Sequence, residues 1–415
     1  MYEVRSFFNE VCYSGSLYEA ADWLNGTSFK FDEIGDDGKP IIKIRELKQG
    51  ISKNTDFYIG DEKKEYELKK GDLLYTWSGS PDTSLDSYFF ELDYGILNQH
   101  IFKVTPKKFV LKKYFYYLLN YLKPVLVRIA TDKQTTGLGH VTIQDLKELK
   151  IQIPKKEYQE FVINTLEPLR NKLQVNQKIN NLLDTTANTL FKFYFQKSTI
   201  KKQSNKETYL CLGDHIDIIK GKSYKGSELK PSATALVTLK SFYRNGGYRE
   251  DGLKEYVGSY KKDQKVKEGD LIVALTDVTQ SADVIGKPAI IIENSHFSNL
   301  IISLDVAKIE IKKNSNLSKS FIYYLMKSDR YSHNSLGFVN GTNVLHLNID
   351  AIKDYRFFIP NKQNLEKFNN VSNQILKKIS NNSRINKILN ELMKNLNKKL
   401  LSGELSKSIK IEGRS

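Results

Sequence analysis

The chain is written twice. Gly139-His-Val-Thr-Ile-Gln-Asp-Leu-Lys-Glu-Leu-Lys-Ile-Gln-Ile-Pro154 lies without a gap on Leu345-His-Leu-Asn-Ile-Asp-Ala-Ile-Lys-Asp-Tyr-Arg-Phe-Phe-Ile-Pro360, at the offset of 206 that separates His140 from His346. Upstream, Asp22-Trp-Leu-Asn-Gly-Thr-Ser-Phe-Lys30 matches Asp217-Ile-Ile-Lys-Gly-Lys-Ser-Tyr-Lys225, at the offset of 195 that separates Asp22 from Asp217. Lys39-Pro-Ile-Ile-Lys-Ile-Arg45 matches Thr234-Ala-Leu-Val-Thr-Leu-Lys240 at the same offset of 195. The halves differ by loop insertions. Solenoid repeats recur every ~20–50 residues, so a period of half the chain means that a whole domain was duplicated with its connector. Such a chain does something twice, at two similar but non-identical places.

At 415 residues the chain exceeds one ordinary core, and a soft prior of about 150 residues per domain gives two domains plus connecting structure. A composition that is 40% hydrophobic and 27% charged, with 24 Tyr and 21 Phe, is that of a folded, soluble protein. There is no run of ~18 apolar residues, and Met-Tyr-Glu-Val-Arg-Ser-Phe-Phe lacks the charged-then-apolar pattern of a signal peptide. The expectation is a cytoplasmic protein with no membrane association. Cys12 and Cys211 are the only cysteines; they sit at non-equivalent repeat positions and read as packing residues rather than a disulfide or zinc pair. With 64 Lys+Arg against 48 Asp+Glu, the net charge of +16 suits a polyanionic partner, nucleic acid first. An AT-rich coding sequence, which favours Lys, Asn and Ile, produces the same excess, so charge alone leaves both readings open.

Each half opens with β-like runs such as Pro40-Ile-Ile-Lys-Ile and Ala235-Leu-Val-Thr-Leu, broken by Gly, Asn and Asp turns. Gly-Asp turns launch strands at Lys70-Gly-Asp-Leu-Leu-Tyr-Thr and Glu268-Gly-Asp-Leu-Ile-Val-Ala. Aromatic helical stretches follow, Tyr114-Phe-Tyr-Tyr-Leu-Leu and Phe321-Ile-Tyr-Tyr-Leu-Met, and a long helix closes each half. Leu166, Leu169, Leu173, Asn176, Asn180, Leu183, Ala187, Leu190 and Tyr194 are spaced by three and four, as in a coiled-coil seam. Shifted by 206, the seam reads Ser372, Ile375, Ile379, Asn382, Asn386, Leu389, Met393, Leu396 and Leu400. Two seams in one chain predict helices packed on each other, antiparallel because the chain returns through a globular domain. The matched Asn either lie buried, fixing register at a cost in stability, or face water at the seam's edge. A helix of ~36 residues at about 1.5 Å per residue makes a rod of roughly 54 Å. The expected layout is a domain over 1–155, a helix over 156–198, a domain over 199–361, a helix over 362–405 and a tail over 406–415. Ile411-Glu-Gly-Arg-Ser415 reads like a protease-site remnant of expression engineering.

Catalytic, cofactor and metal motifs are not found. Lys220-Gly-Lys-Ser223 resembles the end of a P-loop, but the glycine that motif needs five residues earlier is Ile216. Its repeat counterpart, Asn25-Gly-Thr-Ser28, lacks the Lys, so a shared turn is the reading. No Pro-Pro of an adenine-methylating motif and no S-adenosylmethionine glycine motif occurs. Pro81-Asp82 with Glu148-Leu-Lys150 imitates a nuclease metal site only as chance does in so charged a chain. The six His show no pair at i,i+4. His140 and His346, equivalent across the repeat, either cap the turn before the closing strand, the preferred role, or contact phosphate or a base.

Domain, long helix, domain, long helix, in that order and duplicated in register, resembles the specificity (S) subunit of type I restriction-modification systems over essentially the whole chain. The marks are the Gly-Asp-Leu strand starts, the endings Ile153-Pro154 and Ile359-Pro360, and the terminal Leu400-Leu-Ser-Gly403. The family's Glu-Gln after Ile-Pro is altered here to Gln159-Glu160 and Leu365-Glu366. The resemblance implies a mixed α/β (α+β) fold with a pseudo-twofold internal repeat: two target-recognition domains separated by two long antiparallel coiled-coil helices. It implies that each domain reads one half of a bipartite, asymmetric site in double-stranded DNA, while the helices set the spacer and dock two methyltransferase (M) subunits. Those subunits bind S-adenosylmethionine and methylate adenine N6; restriction (R) subunits use ATP and Mg2+. The S subunit itself catalyses nothing and binds no cofactor. Two rivals are a specificity subunit serving another restriction class and a two-headed coiled-coil protein adaptor.

The readers are expected in loops that diverge between alignable strands. In the first half these are Thr76, Trp77, Ser78 and Ser80 after the Gly-Asp strand, with Lys133, Gln134, Thr135, Thr136 and His140. In the second they are Thr276, Asp277, Thr279 and Gln280, with Asn340, Thr342, Asn343 and His346. Arg244, Asn245, Tyr248 and Arg249 add a basic-aromatic loop suited to phosphate or base contact.

Overall fold

The computed structural model describes residues 8–61, 63–133, 138–195, 209–244, 246–278, 282–292, 296–341, 344–359 and 361–407. They fall into two compact units, Met1–Lys172 with Leu389–Ser415, and Leu173–Ile388. In the first unit the opening strand Val11–Ser16 pairs antiparallel with Lys150–Pro154, so the Ile-Pro segment returns to where the domain began. A four-stranded antiparallel sheet runs in the order Ala21–Asn25, Ile101–Pro106, Leu73–Thr76, Asp86–Phe89. A second sheet runs Ile34–Gly35, Phe57–Tyr58, Lys39–Ile42, Tyr94–Leu97, Glu67–Lys69 and contains one parallel pair, Lys39–Ile42 with Tyr94–Leu97. Leu73-Leu-Tyr-Thr76 is buried at every position, as a strand covered on both faces must be. The aromatic helix Lys112–Asp132 covers it with Tyr114, Phe115, Tyr117 and Leu118.

The second unit repeats this plan, with four strands instead of five in its second sheet. Tyr209–Cys211 pairs with Arg356–Phe358. One sheet runs Ile216–Lys220, Val306–Ile311, Leu271–Ala274, Pro288–Ile290; the other runs Lys254–Glu255, Thr234–Val237, Asn299–Ile302, Lys265–Val266, again with one parallel pair. The aromatic helix is broken into Lys319–Lys327 and Asp329–Leu336, because Ser328 ends the first and its Oγ accepts the Tyr331 N–H to start the next.

The shared turns have a steric cause. Gly71 and Gly269 sit at φ +88° and +78°, left-handed conformations that favour glycine. The following carboxylates accept the Lys69 N–H at 2.9 Å (Asp72) and the Lys267 N–H at 3.0 Å (Asp270). At Gly26 and Gly221 a Cβ would stand 2.1 Å from Asn98 O and 1.9 Å from Ser303 O. The P-loop look-alike is therefore a close backbone crossing, present in both repeats.

The long helices are Lys156–Phe195 and Lys362–Leu401, each of 40 residues, or about 60 Å at ~1.5 Å per residue. The second stops at Leu401, short of the expected 405, and a 3-10 turn Glu404–Lys407 follows. In the second unit the helices run antiparallel: Asn176 donates its amide to Asn386 at 2.8 Å, Asn382 donates to Asn180 at 2.8 Å, and Phe191 meets Phe368 with centroids 5.6 Å apart. Asn176 and Asn382 are buried, 2% and 3% exposed, while their partners Asn386 and Asn180 are half-buried. In the first unit the Tyr158 hydroxyl donates to Leu400 O at 3.1 Å, and Leu166, Leu400 and Leu401 join the core under the aromatic helix. Leu169, Leu173, Leu183, Leu190, Ile375, Ile379, Leu389 and Leu396 are all wholly or partly buried, as seam positions should be.

Candidate nucleic-acid interface

In the first unit, strand Leu73–Thr76 leads through Trp77 into the two-residue strand Ser78–Gly79. This pairs antiparallel with Gly139–His140, setting His140 opposite Ser78. Of the two loop groups singled out in the first repeat, Ser78 and His140 thus meet. Gly139 permits it: a Cβ there would lie 2.4 Å from Ala130 O and 2.7 Å from Pro81 Cγ. Thr76 is wholly buried, its hydroxyl donating to Ser84 O at 2.5 Å and accepting the Asp86 N–H at 2.8 Å, so it pegs the turn from inside. Trp77 is half-buried, stacked on Phe102 at 5.6 Å, and its indole N–H donates to Asn25 Oδ1 at 2.9 Å. Ser78 is half-buried, whereas Ser80 and His140 are exposed. Lys133 is exposed and paired with the buried Asp145, which also accepts the Thr142 N–H at 2.8 Å. Burial pushes the Asp145 carboxyl up, but the Lys133 and Thr142 hydrogen bonds outweigh it and hold the group below its ordinary range. Gln134, Thr135 and Thr136 lie outside the described residues.

In the second unit the ribbon gains a strand: Thr276–Asp277, Leu345–Leu347 and Val339–Asn340, with His346 opposite both Thr276 and Asn340. His346 and Asn340 are exposed. Thr276 and Asp277 are buried, against the expectation of loop readers: Thr276 donates its hydroxyl to Asp305 Oδ1 at 2.9 Å, and Asp277 accepts the Val284 N–H at 2.7 Å. The basic-aromatic loop is a hairpin in which Phe242 bridges Tyr248, with Gly246 and Gly247 at φ +85° and +97°. Tyr248 is buried, which raises its phenol well above the usual value; the exposed aromatic is Tyr243, with the Arg249 guanidinium 5.6 Å over its ring. Arg249 also forks onto Asp251, and Arg244 pairs with Asp283 at 3.6 Å. Asn245, Thr279, Gln280, Thr342 and Asn343 lie outside the described residues.

Both ribbons stand on one hydrogen-bonded frame. Trp77 N–H donates to His100 O at 3.3 Å and Leu275 N–H to Asp305 O at 2.8 Å; Val141 N–H donates to Trp77 O at 2.9 Å and Leu347 N–H to Leu275 O at 2.8 Å. Gln99 N–H donates to Thr27 O at 2.9 Å and Leu304 N–H to Lys222 O at 2.8 Å. Ser78 is therefore the counterpart of Thr276, and Thr76 that of Ala274. The frame also brings forward residues that sequence reasoning passed over: Asn25, Gln99 and His100 in the first unit, Lys220, Leu304 and Asp305 in the second. Laying Leu97-Asn98-Gln99-His100-Ile101 on Ile302-Ser303-Leu304-Asp305-Val306 would have exposed Gln99, His100, Leu304 and Asp305. Among the described residues no three His, Cys, Asp or Glu gather as metal ligands would, and no helix is long and apolar enough to cross a membrane.

The family described as type I restriction modification DNA specificity domain matches residues 14–185 and again residues 190–398. The type I restriction enzyme MjaVIII specificity subunit of Methanocaldococcus jannaschii is 22% identical over 387 residues, 88% of this chain and 86% of its own length. The MjaIX specificity subunit of the same organism is 25% identical over 327 residues, 74% of this chain and 72% of its own length. Among solved structures, the type I restriction-modification S subunit from M. genitalium matches in fold with a TM-score of 0.54 at 14% identity, over 97% of this chain and 99% of that one. With that domain matched twice, across most of the chain and on two units whose strand orders repeat one another, the chain belongs to the type I restriction-modification DNA specificity family.

Proposed function

We propose that this chain is the non-catalytic sequence-reading subunit of a type I restriction-modification complex, each globular unit reading one half of a bipartite, asymmetric site in double-stranded DNA. The observation that carries this reading is a single backbone frame built twice with different exposed side chains on it, such as Gln99 against Leu304. A net charge of +16 supplies phosphate contacts that position the protein, and polar side chains at base edges supply sequence. Half-sites on one face of a duplex lie about 34 Å apart per helical turn, a span suited to a paired-helix spacer. In this reading the helices also dock two methyltransferase subunits, which hold S-adenosylmethionine and methylate adenine N6. Restriction subunits, when recruited, bring ATP and Mg2+ chemistry, and the complex works in the cytoplasm. This chain then needs no cofactor of its own.

The test is to exchange residues 1–155 for the first domain of another family member and map methylated adenines with the partner subunits present. One half of the recognised sequence should change. If both halves change, or neither does, two independent readers are the wrong description. A protein adaptor would leave methylation without any sequence dependence on this chain.

A further inference from the structure

We infer that the turn position held by Gln99 in the first unit and by Leu304 in the second reads a base edge, and that the difference between these two side chains makes the half-sites unlike. This rests on the proposed DNA-reading role.

The turn is fixed by its backbone. Asn98 N–H donates to Ile42 O at 3.3 Å, Ile101 N–H to Asn98 O at 3.1 Å, and Gly26 N–H to Ile101 O at 3.0 Å. In the second unit Ser303 N–H donates to Val237 O at 3.0 Å, Val306 N–H to Ser303 O at 2.9 Å, and Gly221 N–H to Val306 O at 3.1 Å. Thr27 and Lys222 bridge to Asn98 and Ser303 as an equivalent pair. With the backbone satisfied, the side chain at the tip is not required to hold the turn. What stands there nevertheless differs in kind: an exposed amide in one unit and, in the other, a leucine left 51% exposed. Burial does not explain a leucine so placed.

The neighbours differ too. Gln99 Nε2 lies 3.4 Å from His100 Nε2, the His100 ring lies 5.9 Å from Trp77, and Trp77 holds Asn25, making a polar and aromatic patch beside the Ser78–His140 ribbon. In the second unit His100 is replaced by Asp305, which takes the Thr276 hydroxyl, and Trp77 by Leu275. A glutamine presents a donor and an acceptor side by side, the pattern that matches adenine N6 and N7 in the major groove. An aliphatic side chain offers neither and fits the thymine 5-methyl group. One position thus carries two different base chemistries on one rigid mount, which is the requirement for an asymmetric site read by a duplicated fold.

The experiment uses the full chain with its methyltransferase partners and compares the methylated motif of the wild type with those of Gln99→Leu, Gln99→Ala and Leu304→Gln. Thermal unfolding checks that each variant is folded. Gln99→Leu should change the preferred base at one position of one half-site, with about a ten- to hundred-fold loss for the original base. Gln99→Ala should relax that same position, and Leu304→Gln should alter one position of the other half only. Folded variants that methylate the parental motif unchanged overturn the inference. So does a variant that binds DNA as before yet loses methylation at every site, since that places the turn on a protein partner. Failure of the parent reading looks different: in the domain exchange, neither half-site would follow its domain.

Discussion

Gln159 shows how much a single side chain can hold. Wholly buried, it accepts the Leu111 N–H at 2.8 Å and donates to Pro154 O at 2.8 Å and Phe109 O at 2.9 Å. It ties the end of the closing strand to the approach of the aromatic helix. Gln159→Ala removes three hydrogen bonds to backbone groups, of which the one to Pro154 O is buried, and about 1–3 kcal/mol of stability should be lost in urea unfolding; a change below ~1 kcal/mol would mean that water takes over its bonds. The matching position is Leu365, buried in an apolar core, so the fold accepts either solution. In the sequence Gln159 looked like a blemish in a family pattern, because two of its three partners lie about 50 residues away and no local spacing announces them. Asp145 gives a pH prediction. Its folded pKa is lowered, so its stabilisation is complete above the unfolded value near ~3.9 and is lost as pH falls through the lower folded value. Asp145→Asn should flatten that part of a stability-versus-pH curve measured from neutral to acid pH; an unchanged acid limb would refute the assignment.

The asparagine pairs belong to the scale of elements. Shifting Asn176 and Asn180 by 206 gives Asn382 and Asn386, and the bonds Asn176–Asn386 and Asn382–Asn180 map onto each other under that shift. Asn386→Leu leaves the buried Asn176 amide without its partner and should cost about 1–3 kcal/mol, and Asn176→Leu, which leaves the half-buried Asn386, should cost less. The double replacement should recover most of that, since an apolar pair suits a seam as well. A double-mutant cycle on urea unfolding measures the coupling, and strictly additive costs would show that the bond contributes nothing. The seam itself was legible because a period of three and four survives in any context. Thr276 and Asp277 were not, because a polar residue after a strand reads as loop. What turns them inward is pairing with Leu345–Leu347, roughly seventy residues on, a long-range register that local composition does not encode.

At the scale of the molecule, charge makes a prediction of its own. If the +16 serves DNA, log affinity of the assembled complex should fall linearly with log salt, by about 0.9 per phosphate engaged. A flat salt dependence would leave the lysines a product of coding bias. The duplication was legible from aligned motifs, but the division into units was not: the first unit takes its core from residues up to Lys172 and again from Leu389 onward. That sharing sets a schedule for synthesis. Leu400 and Leu401 complete the first core, so a ribosome that has released Lys172 must still translate the intervening residues, about 10–45 s at ~5–20 residues per second, before the first domain can close. Throughout that interval the newborn domain exposes the apolar patch that the last helix will cover, a client for holding factors until translation ends.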